Sequence, residues 1–174
     1  QQLLLQDDLT GLPNAKFFKT QLASVFDIAK KYGRVFSLAV LDINDFKLIN
    51  DRFGHQAGDK VLKETAFLMN SIIRKPDILA RYGGDEFVVI FSECDLARAE
   101  CALSRLKEVF KKSQIVIPKT NETISVSLSI GAAAYTPEIS DPKELFELAD
   151  RNMYEDKLNK KKAPEKPGEK GICA

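Results

Sequence analysis

The stretch Arg81-Tyr82-Gly83-Gly84-Asp85-Glu86-Phe87 decides how the rest of the chain is read. Ahead of it stands a short apolar run, Ile78-Leu79-Ala80, and behind it a longer one, Phe87-Val88-Val89-Ile90-Phe91. Two strand-like runs divided by a glycine pair predict a hairpin over residues 78–92, because glycine supplies the positive φ angles of a tight turn. Asp85 and Glu86 then open the second strand beside a bare backbone. Glycines let a bulky ligand come close, and adjacent carboxylates suit a hard divalent cation. A plain hairpin with a solvated acidic edge has the same local pattern, so the surrounding chain has to decide between them.

Upstream, residues 35–41 are apolar except for Ser37 and are bounded by Gly33 and by acids. So short and unbroken a run predicts a buried central strand, with Asp42 at its C-terminal end. Before it, Asn14 is placed to cap a helix whose apolar residues Phe17, Phe18, Leu22, Val25, Phe26 and Ala29 recur at helical spacing. Residues 7–14 form a polar turn anchored by Leu9 and Leu12. After the strand, residues 42–51 are dense in polar groups, and residues 53–59 look like a glycine-punctuated helix entry. Val61, Leu62, Ala66, Met69, Ile72 and Ile73 carry that helix, and Pro76 stops it.

Downstream of the hairpin a third amphipathic helix runs from about Asp95 to Lys112. Two strands are expected over 114–118 and 123–134, the second on the alternation of Ile124, Val126, Leu128 and Ile130 with serines. A last helix opens at Asp141-Pro142. The predicted core order is βαββαβ. We therefore expect an α+β domain with a ferredoxin-like core and an added hairpin, its antiparallel central sheet flanked by helices on one face. The expected divisions are the end of an upstream helix at 1–6, the domain at 7–160, and a Lys/Glu/Pro/Gly-rich disordered tail at 161–174.

The 174 residues suit one domain, and a formal net charge of +1 provides no field for nucleic acid or for an anionic membrane. Cys94, Cys101 and Cys173 form no zinc or disulfide pattern, which fits a reducing, cytoplasmic setting. No apolar run is long enough to span a bilayer. The chain begins with Gln, which suggests a segment of a longer protein that could itself be membrane-anchored.

In a βαββαβ fold the first strand and the central hairpin are neighbours. That brings Asp42, Asp85 and Glu86 together beside the backbone carbonyl of Ile43, a set of hard oxygens suited to one or two Mg²⁺ ions. Such sites serve phosphoryl transfer, because the metal neutralises charge on phosphate oxygens. Lys47 and the amides around Asp45 and Phe46 lie in the turn after the first strand and could hold phosphates. Asn50 and Asp59 could match a guanine edge, although capping is the commonest task of both residue types. His55 reads as a turn residue rather than a catalytic base.

Six motifs in order carry a family resemblance: Asp7-x-Leu9-Thr10-Gly11-Leu12-Pro13-Asn14, Asp42-Ile43-Asn44-x-Phe46-Lys47-x-Ile49-Asn50-Asp51, Phe53-Gly54-His55-x-x-Gly58-Asp59, the opening stretch, Ser129-Ile130-Gly131-Ala132-Ala133, and Ala149-Asp150-x-x-Met153-Tyr154-x-x-Lys157. Over about residues 7–161 the sequence resembles the GGDEF-domain diguanylate cyclases, whose fold is palm-like. The resemblance implies that two GTP molecules are joined into cyclic di-GMP, with release of two pyrophosphates, across a homodimer in which each subunit holds one GTP. It implies two Mg²⁺ or Mn²⁺ ions per site, held by Asp42, the Ile43 carbonyl and Asp85, with Glu86 beside them helping to activate the 3′-hydroxyl. Asn50 and Asp59 would read guanine. Lys47, Lys157, Lys161 and the amides near Phe46 would hold phosphate, with Gly83 and Gly84 against the nucleotide. The resemblance further implies an upstream sensor domain. Arg74-Lys75-Pro76-Asp77 has the form and the spacing from Gly83 of the family's product-inhibition site, so Arg74 and Asp77 would bind cyclic di-GMP.

Departures stand beside the match. Ala15-Lys16 replaces the usual basic pair, and Asn44 stands where many members have Asp. The tail pattern Ala-Lys-x-x-Gly-Arg here reads Asp156-Lys157-x-x-Lys160-Lys161, and a lysine lacks arginine's bidentate fork. Two readings follow: an active cyclase, or a module that binds GTP or cyclic di-GMP without turnover. A nucleic-acid polymerase palm shares the metal logic, but the chain is too short and too neutral to hold primer and template.

Overall fold

The computed structural model describes residues 5–118 and 120–162. Five helices and six strands follow in the order α1 (Ala15–Tyr32), β1 (Phe36–Ile43), α2 (Phe46–Phe53), α3 (His55–Ile72), β2 (Ile78–Gly83), β3 (Glu86–Ser92), α4 (Leu96–Lys112), β4 (Ile115–Val116), β5 (Thr123–Ile124), β6 (Leu128–Ala134) and α5 (Pro142–Lys162) among these residues. The main sheet has the order β2-β3-β1-β6, with every neighbouring pair antiparallel. This is the α+β, ferredoxin-like and palm-like arrangement expected from the βαββαβ order.

Every residue of β1 is buried, because it lies between β3 and β6 and both of its faces are covered. Ala39, Leu41 and Ile43 pack with α3 and α4 through Val61, Met69, Leu103 and Leu106. Leu38 and Val40 face the other way, onto α1 and α5, through Phe18, Leu22, Phe26, Leu145 and Ala149. Helices therefore cover both faces of the sheet, not the single face expected. The reason is that α1 and α5, which lie outside the βαββαβ core, each carry a buried apolar stripe of their own. Ser37, the one polar residue of the run, gives its hydroxyl to the Cys94 carbonyl at 2.9 Å, so its burial leaves no orphan donor.

Two other details differ from expectation. The polar segment after β1 contains a two-turn helix, α2. It starts at Asp45 in the left-handed region (φ 56°), with no side-chain cap to announce it in the sequence. The alternating run over 123–134 is not one strand. Its first two residues pair with β4 in a separate ribbon, and only Leu128–Ala134 joins the main sheet against β1. Ile124, Val126 and Leu128 are all buried, so the alternation continues across a break in the ladder. At the C-terminal end α5 runs through Lys162, two residues into the expected tail. Residues 1–4 and 163–174, which include most of the expected upstream helix end and the rest of the tail, lie outside the described residues.

Glycine brings α5 onto β6. A Cβ at Gly131 would lie 1.9 Å from the Met153 nitrogen and 2.3 Å from the Ala149 oxygen, so the helix backbone packs directly on the strand. Asn152 secures the same contact by donating to the Ala132 carbonyl at 2.9 Å.

Candidate active site

The antiparallel register places Asp42 of β1 opposite Glu86 of β3, and the Ile43 amide donates to the Asp85 carbonyl at 3.2 Å. Three acids from two segments thus meet at one end of the sheet. Asp85 lies in the two-residue turn, and Glu86 is the first strand residue. Asp42 shares its face of β1 with Leu38 and Val40, so it points toward α5. There the Lys157 ammonium donates to Asp42 Oδ1 at 2.6 Å, and the Asp42 side chain is only 8% exposed. Burial works against the charge on Lys157, but the bond to Asp42 and the fields of Asp42, Asp85 and Asp45 win and hold its pKa above the ordinary lysine value.

Negative charge at this end is incompletely balanced. Burial, reinforced by the nearby Asp42, pushes the Asp85 carboxyl up. Glu86 is likewise raised, first by burial and then by Asp150, Asp42 and Asp85. A donor set of hard oxygens in excess of its cations suits Mg²⁺ or Mn²⁺. Among the described residues, no three acidic, histidine or cysteine side chains are already gathered at ligand spacing.

Asn44 closes the neighbouring strand junction. Its amide nitrogen donates to Ser127 Oγ at 2.8 Å, and its oxygen accepts from the buried Ser129 Oγ at 2.6 Å. An aspartate could accept from a hydroxyl but could not donate to one, which gives Asn at this position a physical reason.

On the other side of β1, Phe46 packs on the core, while Asp45 and Lys47 are exposed at the start of α2. Asn50 lies inside α2 and Asp59 inside α3, so neither is an N-cap; those places belong to Asp45 and Gly54. The Asn50 amide sits against Gly58, where a Cβ would fall 1.9 Å from Asn50 Oδ1. The absence of a side chain at Gly58, the residue before Asp59 in the chain, leaves the room in which the Asn50 amide rests. His55, the first residue of α3, is exposed.

The turn itself is Gly84-Asp85, one residue later than the glycine pair suggests, with Gly83 still in β2 and positive φ at Gly84 alone of the pair, and it is held from outside. Arg81 donates to the Gly84 carbonyl from Nε at 3.0 Å and from Nη2 at 2.7 Å, and its Nη1 reaches both oxygens of Asp7 at 3.0 Å. Asp7 also accepts from the Thr10 amide and hydroxyl, at 2.9 and 2.7 Å. Burial alone would raise the Asp7 carboxyl, but Thr10 and Arg81 together hold it below the ordinary value. Lys161 lies one helical turn beyond Lys157 and is exposed.

Arg74 and Asp77 stand apart from the acidic centre. The Asp77 side chain is buried and takes Arg74 Nε at 2.8 Å and the Ser92 amide at 3.0 Å, while Arg74 Nη2 donates to the Ser92 carbonyl at 2.8 Å. This pair borders a surface pocket of about 170 Å³ that Arg98 and Arg105 of α4 also line. Sequence reasoning named neither of these arginines, because nothing local to them marks a site. In the sequence Asp7, Arg81 and Asp150 stand out only as members of motifs.

Such a fold, with acids at the strand end and a lysine from the last helix beside them, defines a palm-type α+β domain suited to phosphate chemistry. The family model for "Diguanylate cyclase, GGDEF domain" matches residues 4–163, and the chain belongs to that family. It is 37% identical over 162 residues to the response regulator PleD of Caulobacter vibrioides, covering 93% of this chain and 36% of PleD. It is 32% identical over 161 residues to diguanylate cyclase A of Treponema denticola, covering 91% of this chain and 43% of that protein. The chain thus spans well under half the length of these relatives. Among solved structures, the coiled coil and GGDEF domain of DgcB from Caulobacter crescentus, in complex with c-di-GMP, superposes with a TM-score of 0.86 at 31% identity, covering 90% of this chain and 82% of that one. No described helix is long and apolar enough to cross a membrane.

Proposed function

We propose that this chain joins two GTP molecules into cyclic di-GMP. In the proposed reaction, each 3′-hydroxyl oxygen attacks the α-phosphorus of the GTP held by the partner copy. Two phosphodiester bonds form, two phosphoanhydride bonds break, and two pyrophosphates leave. The observation that carries the reading is the meeting of Asp42, Asp85, Glu86 and Lys157 at one sheet end, with Asn50 and Asp59 on the helices that follow the same strand.

Asp42, the Ile43 carbonyl and Asp85 would hold Mg²⁺ or Mn²⁺, two ions per site, supplying charge neutralisation at the phosphate oxygens. Asn50 and Asp59 bind the guanine. Lys47, Lys157, Lys161 and the amides at Asp45 and Phe46 bind phosphate, and Gly83 and Gly84 lie against the nucleotide. Glu86, with its carboxyl already raised, takes up the hydroxyl proton more readily than an ordinary carboxylate would. Each copy presents half of the reaction, so activity needs a homodimer. The domain serves as the cytoplasmic output unit of a longer sensor protein.

The test is purified chain with GTP and Mg²⁺ at several protein concentrations, with chromatographic separation of the nucleotides. Cyclic di-GMP should appear with a rate that rises faster than protein concentration, and Asp85→Ala should lower it by on the order of 10²-fold or more. Absence of product from well-folded protein at high concentration refutes the reading.

The arginine-lined pocket favours a second role, binding of cyclic di-GMP at Arg74 and Asp77 as product inhibition. Arg74→Ala should relieve inhibition by added product; unchanged inhibition excludes the site. Calorimetric binding of cyclic di-GMP by a chain that makes none would identify a binding module instead.

A further inference from the structure

The end of α5 is not held by its apolar stripe. Buried side chains on this helix stop at Met153, and Leu158, the only later apolar residue apart from Tyr154, is exposed along with it. Yet Lys157 and Lys161 are both carried by the turns beyond Met153. What fastens those turns is polar. Asp156 Oδ2 accepts the Ile130 amide at 2.8 Å and the Lys160 ammonium at 2.7 Å. Lys160 also donates to the Leu128 carbonyl, and Lys107 of α4 stands 3.6 Å from Asp156. Leu128 and Ile130 flank Ser129, the residue of β6 that pairs with Asp42. Two residues of one helical turn thus grip the strand on either side of the position opposite Asp42, and Lys157 lies between them.

Asp156 and Lys160 are also two positions at which this chain departs from the usual Ala-Lys-x-x-Gly-Arg pattern. The departures are partners. An Ala–Gly combination could form neither bond to β6, and either charged residue alone would keep its own bond to the strand but lose its ion-pair partner one turn away.

We propose that Asp156 and Lys160 form a lock between α5 and β6 that positions Lys157 and Lys161 toward the nucleotide phosphates. The inference rests on the reading of these lysines as phosphate-binding residues. It makes Asp156 and Lys160 positioning residues: they touch no reacting atom, and they act by holding the helix end that does.

The experiment uses the full chain and four variants: Asp156→Ala, Lys160→Ala, the double variant, and Lys160→Arg. Hydrogen exchange of the α5 amides is measured alongside steady-state cyclic di-GMP synthesis. In each alanine variant, amides beyond residue 156 should exchange about tenfold faster, while those around the buried Leu145 and Ala149 stay unchanged. The KM for GTP should rise about tenfold with kcat within about twofold, and the double variant, which also loses the second bond to β6, should be worse than either single one but fall short of the product of the two single effects. Lys160→Arg, which keeps the charge and can reach the same two acceptors, should restore both readouts. Unchanged exchange in all the alanine variants overturns the lock. Faster exchange with unaltered KM overturns its positioning role, as do losses that simply add in the double variant. A wild-type chain that makes no cyclic di-GMP refutes the proposed activity instead, and the exchange arm still decides whether the lock exists.

Discussion

Gly58→Ala tests whether the resting place of Asn50 matters. The added Cβ would sit 1.9 Å from Asn50 Oδ1, 2.9 Å from its Cγ and 3.2 Å from Phe46 Cζ. Moving the oxygen from 1.9 Å to the 3.4 Å at which ordinary contact begins requires a retreat of about 1.5 Å. The obstacle is the end of a half-buried side chain rather than backbone, so the amide can swing aside at about 1–2 kcal/mol of stability. Its direction toward a bound base would be lost. With Asn50 in its proposed guanine-binding role, losing that contact is expected to lower kcat/KM for GTP by about 10–100-fold, most of it in KM. Initial rates over a GTP series, with a thermal melt of the same samples, separate the two effects. The control is the Asn50→Ala background, where the clashing oxygen and carbon are gone and Gly58→Ala should be nearly silent. The reasoning fails if Gly58→Ala binds GTP like the wild type, or if it costs as much in the Asn50→Ala background as alone.

Gly131→Ala meets backbone rather than a side-chain end, the Met153 nitrogen and Ala149 oxygen, so we expect a loss of about 3 kcal/mol or more and a Tm lowered by roughly 10 °C. Asp77→Ala removes a buried acceptor of both Arg74 and the Ser92 amide and should cost about 1–2 kcal/mol in denaturant melts, whereas Arg74→Ala, more than half exposed, should cost under about 1 kcal/mol. Folded Glu86 binds its proton more tightly than the unfolded chain does, so its contribution to stability falls as pH rises from the ordinary glutamate value through the raised one, and is constant above it. Glu86→Gln should flatten that part of the stability–pH curve in metal-free protein, and Mg²⁺ should flatten it in the wild type; an unchanged slope in Glu86→Gln would show that the burial of this carboxyl is not its source.

Elements with a strong apolar pattern, a stripe or an unbroken run, were legible in the sequence. Asn14 caps α1 by accepting the Phe17 amide, as its place before the periodic residues suggests, and β1 is the buried central strand that its unbroken run implies. The convergence of Asp42 with Asp85 and Glu86 followed from strand order alone. Helix α2 was not legible, because it is only eight residues long, half of them polar, and is opened by an uncapped left-handed Asp45, so the helical spacing of Phe46, Ile49 and Phe53 is too short a signal to mark it. The end of β5 was hidden for the opposite reason: residues 125–127 keep the alternation of a strand while the pairing partner changes. Long-range polar geometry was beyond reach as well. Nothing local in the sequence shows that Lys160 turns back onto Leu128, or that Arg105 shares a pocket with Arg74.

The bridge from Asp7 through Arg81 to the Gly84 carbonyl has a mechanical meaning. Each joint in it is a two-point attachment: two nitrogens of Arg81 on one carbonyl, and two carboxylate oxygens on one nitrogen. Each joint narrows to one atom, the Gly84 oxygen at one end and Arg81 Nη1 at the other, so the bridge fixes the distance between residue 7 and the hairpin tip and leaves rotation about those atoms free. A displacement of residue 7 along the bridge would reach the turn as a push or a pull, whereas a twist applied there would be absorbed.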